Sequence, residues 1–425
     1  MLTARLRPSQ LIALSALLAA CSAGPPANGS ASDTSVQSAE AAETPANCTP
    51  LETRAPNGAD QRPARPGQTR TCGIKSSVAL DVTVVAKGLV NPWAVEPLPG
   101  GDLLVTEKPG RLRIISASGN TGEPIAGLPA VDARGQGGLL DVALSPAFAS
   151  DRTIYWSFSE ARQGGNGTSI ARGVLSADRT RLDQVQVIFR VLPTYNGTMH
   201  YGSRLAFGPD GMLYAGFGER SDRSMRRYAQ QLDSHLGKTV RIRPDGSAPP
   251  DNPFVGQARA LPEIWSLGHR NIQAAAFDSD GRFWDVEHGP RGGDELNLAE
   301  KGKNYGWPVV AYGIEYSGSP IPGAVTQRAG FEQPVYYWDP VIAPSGAQFY
   351  SGDAFPEWRG NLFVGSLVQK RLVRLTLANN RVTGEEHLLI DRDKRVRDVR
   401  QGPDGFLYVV TDEKNGELWR VAPRR

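Results

Sequence analysis

Between Glu287 and Glu295 the chain reads Glu-His-Gly-Pro-Arg-Gly-Gly-Asp-Glu, then runs on through Asn304-Tyr305-Gly306-Trp307-Pro308. Glycine and proline at this density exclude a continuous strand or helix. Gly289-Pro290 places bare carbonyls at a tight turn, and Asp294, Glu295 and Tyr305 add oxygens close by. Hard oxygen donors on an irregular backbone suit Ca²⁺, which accepts many ligands in loose geometry. Taken alone, the same residues equally describe a solvated surface loop. Proton transfer near neutral pH asks for histidine, and five are present: His200, His235, His269, His288 and His387. Which of them can act depends on where the chain puts them.

From Leu80 onward, short β-type runs alternate with Gly, Pro and Asp turns. One unit recurs: an apolar strand, a turn, and a strand carrying aromatics. Its clearest copies are Leu205–Phe217 and Asp398–Val410, both built on Gly-Pro-Asp-Gly. Weaker copies span Trp93–Glu107, Gly138–Ser159, Ile272–Glu287 and Ala347–Ser366. Six strand-rich units with no long helical period predict an all-β six-bladed propeller over 80–425. A β-sandwich is the alternative, but it would not repeat one turn at matching phase.

The repeat fixes a phase. Residues just ahead of each first strand share one end of the central channel: Gln136, His200, Arg270-Asn271, Ser345, and Arg395 with Arg397. His200 is thereby the candidate base, although a hydrogen-bonded structural histidine fits the same position. The arginines are fixed cations suited to carboxylates or to developing oxyanion charge; ion pairing with Asp391 or Asp398 is their simpler role. Acids recur after the second strands at Glu107, Glu160, Glu219, Glu287 and Asp412, and a feature of five blades reads as architecture. No Walker loop, Cys-x-x-Cys pair, Rossmann signature or Ser-His-Asp order is present. Oxygen ligands and several arginines at one pocket point to an anionic, metal-bound cofactor.

Of 425 residues 21% are charged, with net charge +3, so the chain lacks the broad basic field that nucleic acid requires. Arg5 and Arg7 precede an apolar run, Leu11–Ala20, that is too short to span a bilayer and reads as an export signal over 1–20. Leu18-Ala19-Ala20-Cys21 looks like a bacterial lipobox, predicting lipidation at Cys21 and a place at the periplasmic face of a bacterial outer membrane. Residues 21–79, rich in Ala, Ser and Pro, read as a flexible tether whose last part, through Pro63 and Pro66, can lie on the domain as an extended arm. Cys48 and Cys72 make an even pair in an oxidising compartment, open to a disulfide or to two free thiols.

The chain resembles the soluble quinoprotein glucose/sorbosone dehydrogenases, most nearly their aldose sugar dehydrogenase branch. The resemblance runs from about Val82 to the C-terminus. It rests on Gly135–Leu140, on His200 with Gly202–Gly208, and on Gly268-His269-Arg270-Asn271. Glu287–Trp307, Gln333–Trp338 and Arg395–Val399 complete it. It implies a six-bladed propeller that oxidises an aldose at C1 to the lactone with pyrroloquinoline quinone (PQQ) and Ca²⁺, passing electrons to an acceptor the sequence does not name. In that picture His200 is the base and Arg270 stabilises the reducing quinone oxygen. Gln136, Asn271, Arg395 and Arg397 match positions that hold PQQ, which carries three carboxylates. The Gly289 and Pro290 carbonyls match the cofactor's calcium site, and Glu295 and Tyr305 match a second, structural one. Two positions depart. Met199 stands where relatives carry Asp or Asn, and Val368 replaces a cofactor lysine, leaving Lys370 two residues on to reach the same carboxylate. Those departures favour a lipid-anchored binding propeller as one alternative. A calcium-dependent lactone hydrolase is another, disfavoured because Gly289 and Pro290 offer the metal only carbonyls.

Overall fold

Each of the six sequence units folds as the hairpin nearest the axis of its own sheet. The computed structural model describes residues 48–424. The first strands of the sheets are Pro92–Pro97, Leu139–Leu144, Leu205–Phe207, Ile272–Phe277, Pro344–Phe349 and Val396–Gln401. Each packs against the next, and the last returns to the first, closing a ring. Five sheets have four antiparallel strands and the first has three. The chain is the expected six-bladed propeller.

The repeated turn has a local cause. In both Gly-Pro-Asp-Gly copies the aspartate caps the turn: Asp210 Oδ1 accepts from Met212 N at 3.0 Å, and Asp404 Oδ1 from Phe406 N at 3.1 Å. The same carboxylates accept from the Tyr214 and Tyr408 hydroxyls. The closing Gly211 and Gly405 sit at φ +73° and +78°, backbone space that only glycine enters without strain. Apolar cores lie between neighbouring blades rather than within them: Trp93 and Leu104 pack with Trp156 and Phe158, and Trp284 and Val286 with Phe349 and Leu362. Leu80–Leu89 pairs antiparallel with Gly416–Pro423, so strands from before the first blade and after the fifth share the sixth blade and close the ring.

Residues 48–79 lie on the propeller, the placement the sequence allowed for the stretch through Pro63 and Pro66, rather than continuing a tether to residue 79. Cys48 and Cys72 are disulfide-bonded, and the segment docks on the fourth and fifth blades. Ile74 N donates to Glu385 O and Glu385 N to Cys72 O, both at 2.9 Å, covering the edge of the outer strand Arg381–Leu388. Gln68 is fully buried and donates to the Pro334 carbonyl at 2.9 Å. The arm is held by polar contacts to backbone, which leave no apolar period in sequence. The export signal and Cys21 lie outside the described residues.

Candidate functional site

In five blades the register slips at the start of the first strand. A bulge at that point re-aims side chains, and Trp93, Leu140, Gln273 and Arg397 fall inside four of these slips. All four line a cavity of about 360 Å³ at the channel mouth. Gln136, Asn271, Arg395, Lys108, His288 and Asp412 complete its polar wall. Below it, Arg204 bridges Asp141 at 2.9 Å and Asp398 at 3.0 Å, with its guanidinium 4.2 Å from the Trp93 ring centre. This buried network ties together four blades and sets a rigid floor.

His200 is buried and lines neither cavity itself; it stands next to the main one through its chain neighbour Tyr201 and its hydrogen-bond partner Gln136, both of which line it. Its backbone is left-handed, φ +47°, and its N–H donates to Gln136 Oε1 at 2.8 Å, which holds that conformation. Nδ1 lies 3.2 Å from Glu219 Oε2, while Nε2 makes no hydrogen bond among the described residues. Burial lowers the imidazole pKa and Arg270 lowers it further, against the opposing pull of Glu219. Burial alone would raise Glu219, but His200 and Arg270 outweigh it and keep the carboxylate below its usual range. The ring is therefore a neutral base near pH 7 with its free nitrogen fixed by a carboxylate behind it.

Arg270 sits between the base and the glycine-rich loop. Its Nη1 donates to the carbonyls of His288 at 3.0 Å and Gly289 at 2.6 Å, and Nη2 reaches the Tyr316 hydroxyl at 3.3 Å. Its backbone N–H donates to Glu287. With Gly289, Pro290, Glu295 and Tyr305 it lines a second, small cavity that shares His288 with the first. The Gly289 carbonyl thus already faces a cation. Glu295 is buried, and burial with Glu287 and Asp285 alongside pushes its pKa far up. Behind it His269, Asp285 and Glu287 bring ligand-type atoms within 4.8 Å of one another. Tyr305 spends its hydroxyl on the Leu298 carbonyl and the Glu300 N–H, so the oxygen it can offer a metal is its carbonyl.

The charge of the main cavity is unbalanced. Lys108, Arg395 and Arg397 face a single carboxylate, Asp412, which Arg395 binds at 3.0 Å. Arg397 lies 4.6 Å over the Trp93 ring, its Nε is without a partner among the described residues, and burial brings its pKa down to about 10. A desolvated cation with an orphaned donor calls for an anion. Asn271 uses Oδ1 on Gly202 N at 3.1 Å, leaving amide hydrogens for a ligand.

Two expected positions differ. Lys370 does not reach the cavity: it sits at a left-handed turn, φ +52°, and its Nζ pairs with exposed Asp393 at 2.9 Å. Ser345 is buried and donates across to Val396 O at 2.7 Å, a blade-to-blade tie. Met199 and Val368 are 41% and 57% exposed and line neither cavity. Lys108, one residue beyond a second strand, lines the cavity that Lys370 does not reach. Glu219, read from its recurrence with four other acids as architecture, is the residue that contacts His200 Nδ1.

The family model for glucose/sorbosone dehydrogenases matches residues 89–420. Aldose sugar dehydrogenase YliI of Escherichia coli is 44% identical over 81% of this chain and 93% of its own. A crystal structure of a glucose dehydrogenase aligns with TM-score 0.79 at 48% identity, covering 81% of this chain and all of that one. The PQQ-bound aldose sugar dehydrogenase of Streptomyces coelicolor aligns with TM-score 0.67 at 32% identity, covering 82% and 100%. With a family match that spans most of the ring and both walls of the cavity, this chain belongs to the glucose/sorbosone dehydrogenase family.

Proposed function

We propose that this chain oxidises the C1 hydroxyl of aldoses to the lactone, using PQQ and Ca²⁺. The observation that carries the reading is a buried His200–Glu219 pair beside a cavity with three cations and one carboxylate. That donor set fits a flat tricarboxylate: Lys108, Arg395 and Arg397 supply charge, and Gln136, Asn271 and Gln273 supply amides. The Gly289 and Pro290 carbonyls line the small cavity and would hold a hard cation there, which would act as a Lewis acid on the cofactor. Glu295, with the Tyr305 carbonyl, suits a second cation that would relieve its crowded charge. PQQ, when bound, supplies a quinone that accepts two electrons as hydride. His200 Nε2 takes the C1 hydroxyl proton, and Glu219 holds the Nδ1–H tautomer and stabilises the imidazolium that results. Arg270, fixed by two carbonyls, presents positive charge where negative charge develops on oxygen. The lipid anchor at Cys21 and the periplasmic location are proposed from the sequence of the first 21 residues alone.

The test is dye-linked reduction with a panel of aldoses, adding PQQ and Ca²⁺ singly and together to stripped protein. Turnover only with both supports the reading; none under any condition, from folded protein, overturns it, and lactone hydrolysis without PQQ would replace it with the hydrolase. A second expectation concerns Arg397→Gln. Removing one charge-assisted hydrogen bond from a desolvated site costs about 1.5–3 kcal/mol, so PQQ affinity should fall roughly tenfold to a hundredfold. Titration by quinone absorbance measures it, and unchanged affinity would place the cofactor elsewhere.

A further inference from the structure

The glycine-rich loop is not held by the propeller alone. Asp339, which follows the outer strand Tyr336–Trp338 of the fourth blade, is buried yet forms no salt bridge among the described residues. Its carboxylate is satisfied by the N-terminal arm: Oδ1 accepts from Asn57 N at 2.8 Å and Asn57 Nδ2 at 2.9 Å, and Oδ2 from Gly58 N at 2.9 Å. Asn57 turns its other amide atom to the loop, where Oδ1 accepts from Arg291 Nε at 3.0 Å. Gly292 packs directly on the same carboxylate. It has φ +86°, and a Cβ there would stand 2.6 Å from Asp339 Oδ1.

The arm grips the backing of the loop as well. Gln61 makes a two-way amide pair with Gly313, donating to its carbonyl at 2.8 Å and accepting from its N–H at 2.7 Å. Arg291 and Ile314 exchange backbone hydrogen bonds, and Tyr316, two residues on, meets Arg270. The disulfide between Cys48 and Cys72 closes this stretch into a ring, which lowers the entropy lost in presenting Asn57 and Gln61. All of these arm residues precede residue 89, where the family match begins.

We propose that Asn57 and Asp339 are positioning residues for the Gly289–Pro290 cation site, making the disulfide-closed arm part of the calcium-binding apparatus. The inference rests on the proposed function, in which these carbonyls hold Ca²⁺. A metal gripped by backbone carbonyls depends on how well the loop is pre-arranged. Truncating the Asn57 side chain, the latch between Asp339 and Arg291, takes one of three donors from Asp339 and the acceptor from Arg291 Nε, so more of the turn must be ordered by the ion itself.

The experiment titrates full-length, metal-stripped protein with Ca²⁺, following tryptophan fluorescence and hydrogen exchange of the peptide covering 289–294. Asn57→Ala should bind Ca²⁺ about tenfold more weakly, about 1.4 kcal/mol, with faster exchange in that peptide before calcium is added. Asn57→Ser, too short to span both partners, should behave alike and serves if the alanine variant does not fold. Ser76→Ala, which removes an arm hydrogen bond to Glu386 far from the loop, should leave calcium affinity unchanged. If the wild type responds to Ca²⁺ and the Asn57 variants respond at the same concentrations, the latch is overturned while the calcium reading stands. A wild type silent to Ca²⁺ overturns both. Equal weakening by Ser76→Ala also overturns the latch, since it would make the effect one of general arm stability.

Discussion

His200→Ala should lower turnover of any accepted aldose by about a thousandfold, within the range a positioned general base contributes, while PQQ affinity stays as in the wild type. The separation follows from the geometry. His200 lies beside the cavity, with Nδ1 engaged by Glu219 and its backbone by Gln136, whereas the cations of the cavity are Lys108, Arg395 and Arg397. Removing the ring deletes the proton acceptor and leaves the anion-binding donors in place. Single-turnover reduction with saturating sugar reads the chemical step, and absorbance titration reads cofactor binding. A variant that binds PQQ normally and turns over at the wild-type rate would remove His200 from the reaction. A variant that loses both would make the ring a structural support for the cofactor cavity.

The ring of blades was legible because its signal is local and repeated. Asp210-Gly211 and Asp404-Gly405 form the same side-chain-capped turn in two blades, so a single stretch of sequence reports a blade. The phase of the first strands likewise led to Gln136, Asn271 and Arg397, which line the cavity, and to His200, which is hydrogen-bonded to Gln136 beside it; of these only Arg397 falls in a bulge. What failed was whatever depends on non-repeating backbone. Lys370 lies only two residues from the expected position, yet a left-handed turn carries it to Asp393 on the surface. Lys108 lines the cavity instead, with its Nζ donating to the Gly135 carbonyl, an approach no spacing encodes. Residues 48–79 lack a hydrophobic period, so the sequence offered an arm through Pro63 and Pro66 but not its anchors, Gln61 and Gln68, which bond backbone amides and carbonyls more than 250 positions away. Contacts made through single polar side chains to distant backbone have no sequence signature.

The recurring acids differ in their contacts, and Glu219→Gln tests whether the difference is functional. Glu107 has the role that repetition suggested: it accepts from Val90 N at 2.5 Å and pairs with Arg111 and Arg113, holding a blade together. Glu219 occupies the same phase but turns its carboxylate to His200 and the Ser221 N–H. Glutamine keeps an acceptor oxygen for the Nδ1–H tautomer and removes only the charge. Turnover should then fall about a hundredfold, since the imidazolium formed on proton abstraction loses its counter-charge. The sign of the pH effect is fixed too. Burial and Arg270 lower the pKa of His200 and Glu219 raises it, so without the carboxylate the acid limb of kcat moves to still lower pH. The variant is thus neutral over a wider range but a poorer base, and its rate stays low on the plateau. A carboxylate serving only the blade predicts the opposite pattern: a lower unfolding temperature with the rate and the acid limb where they were.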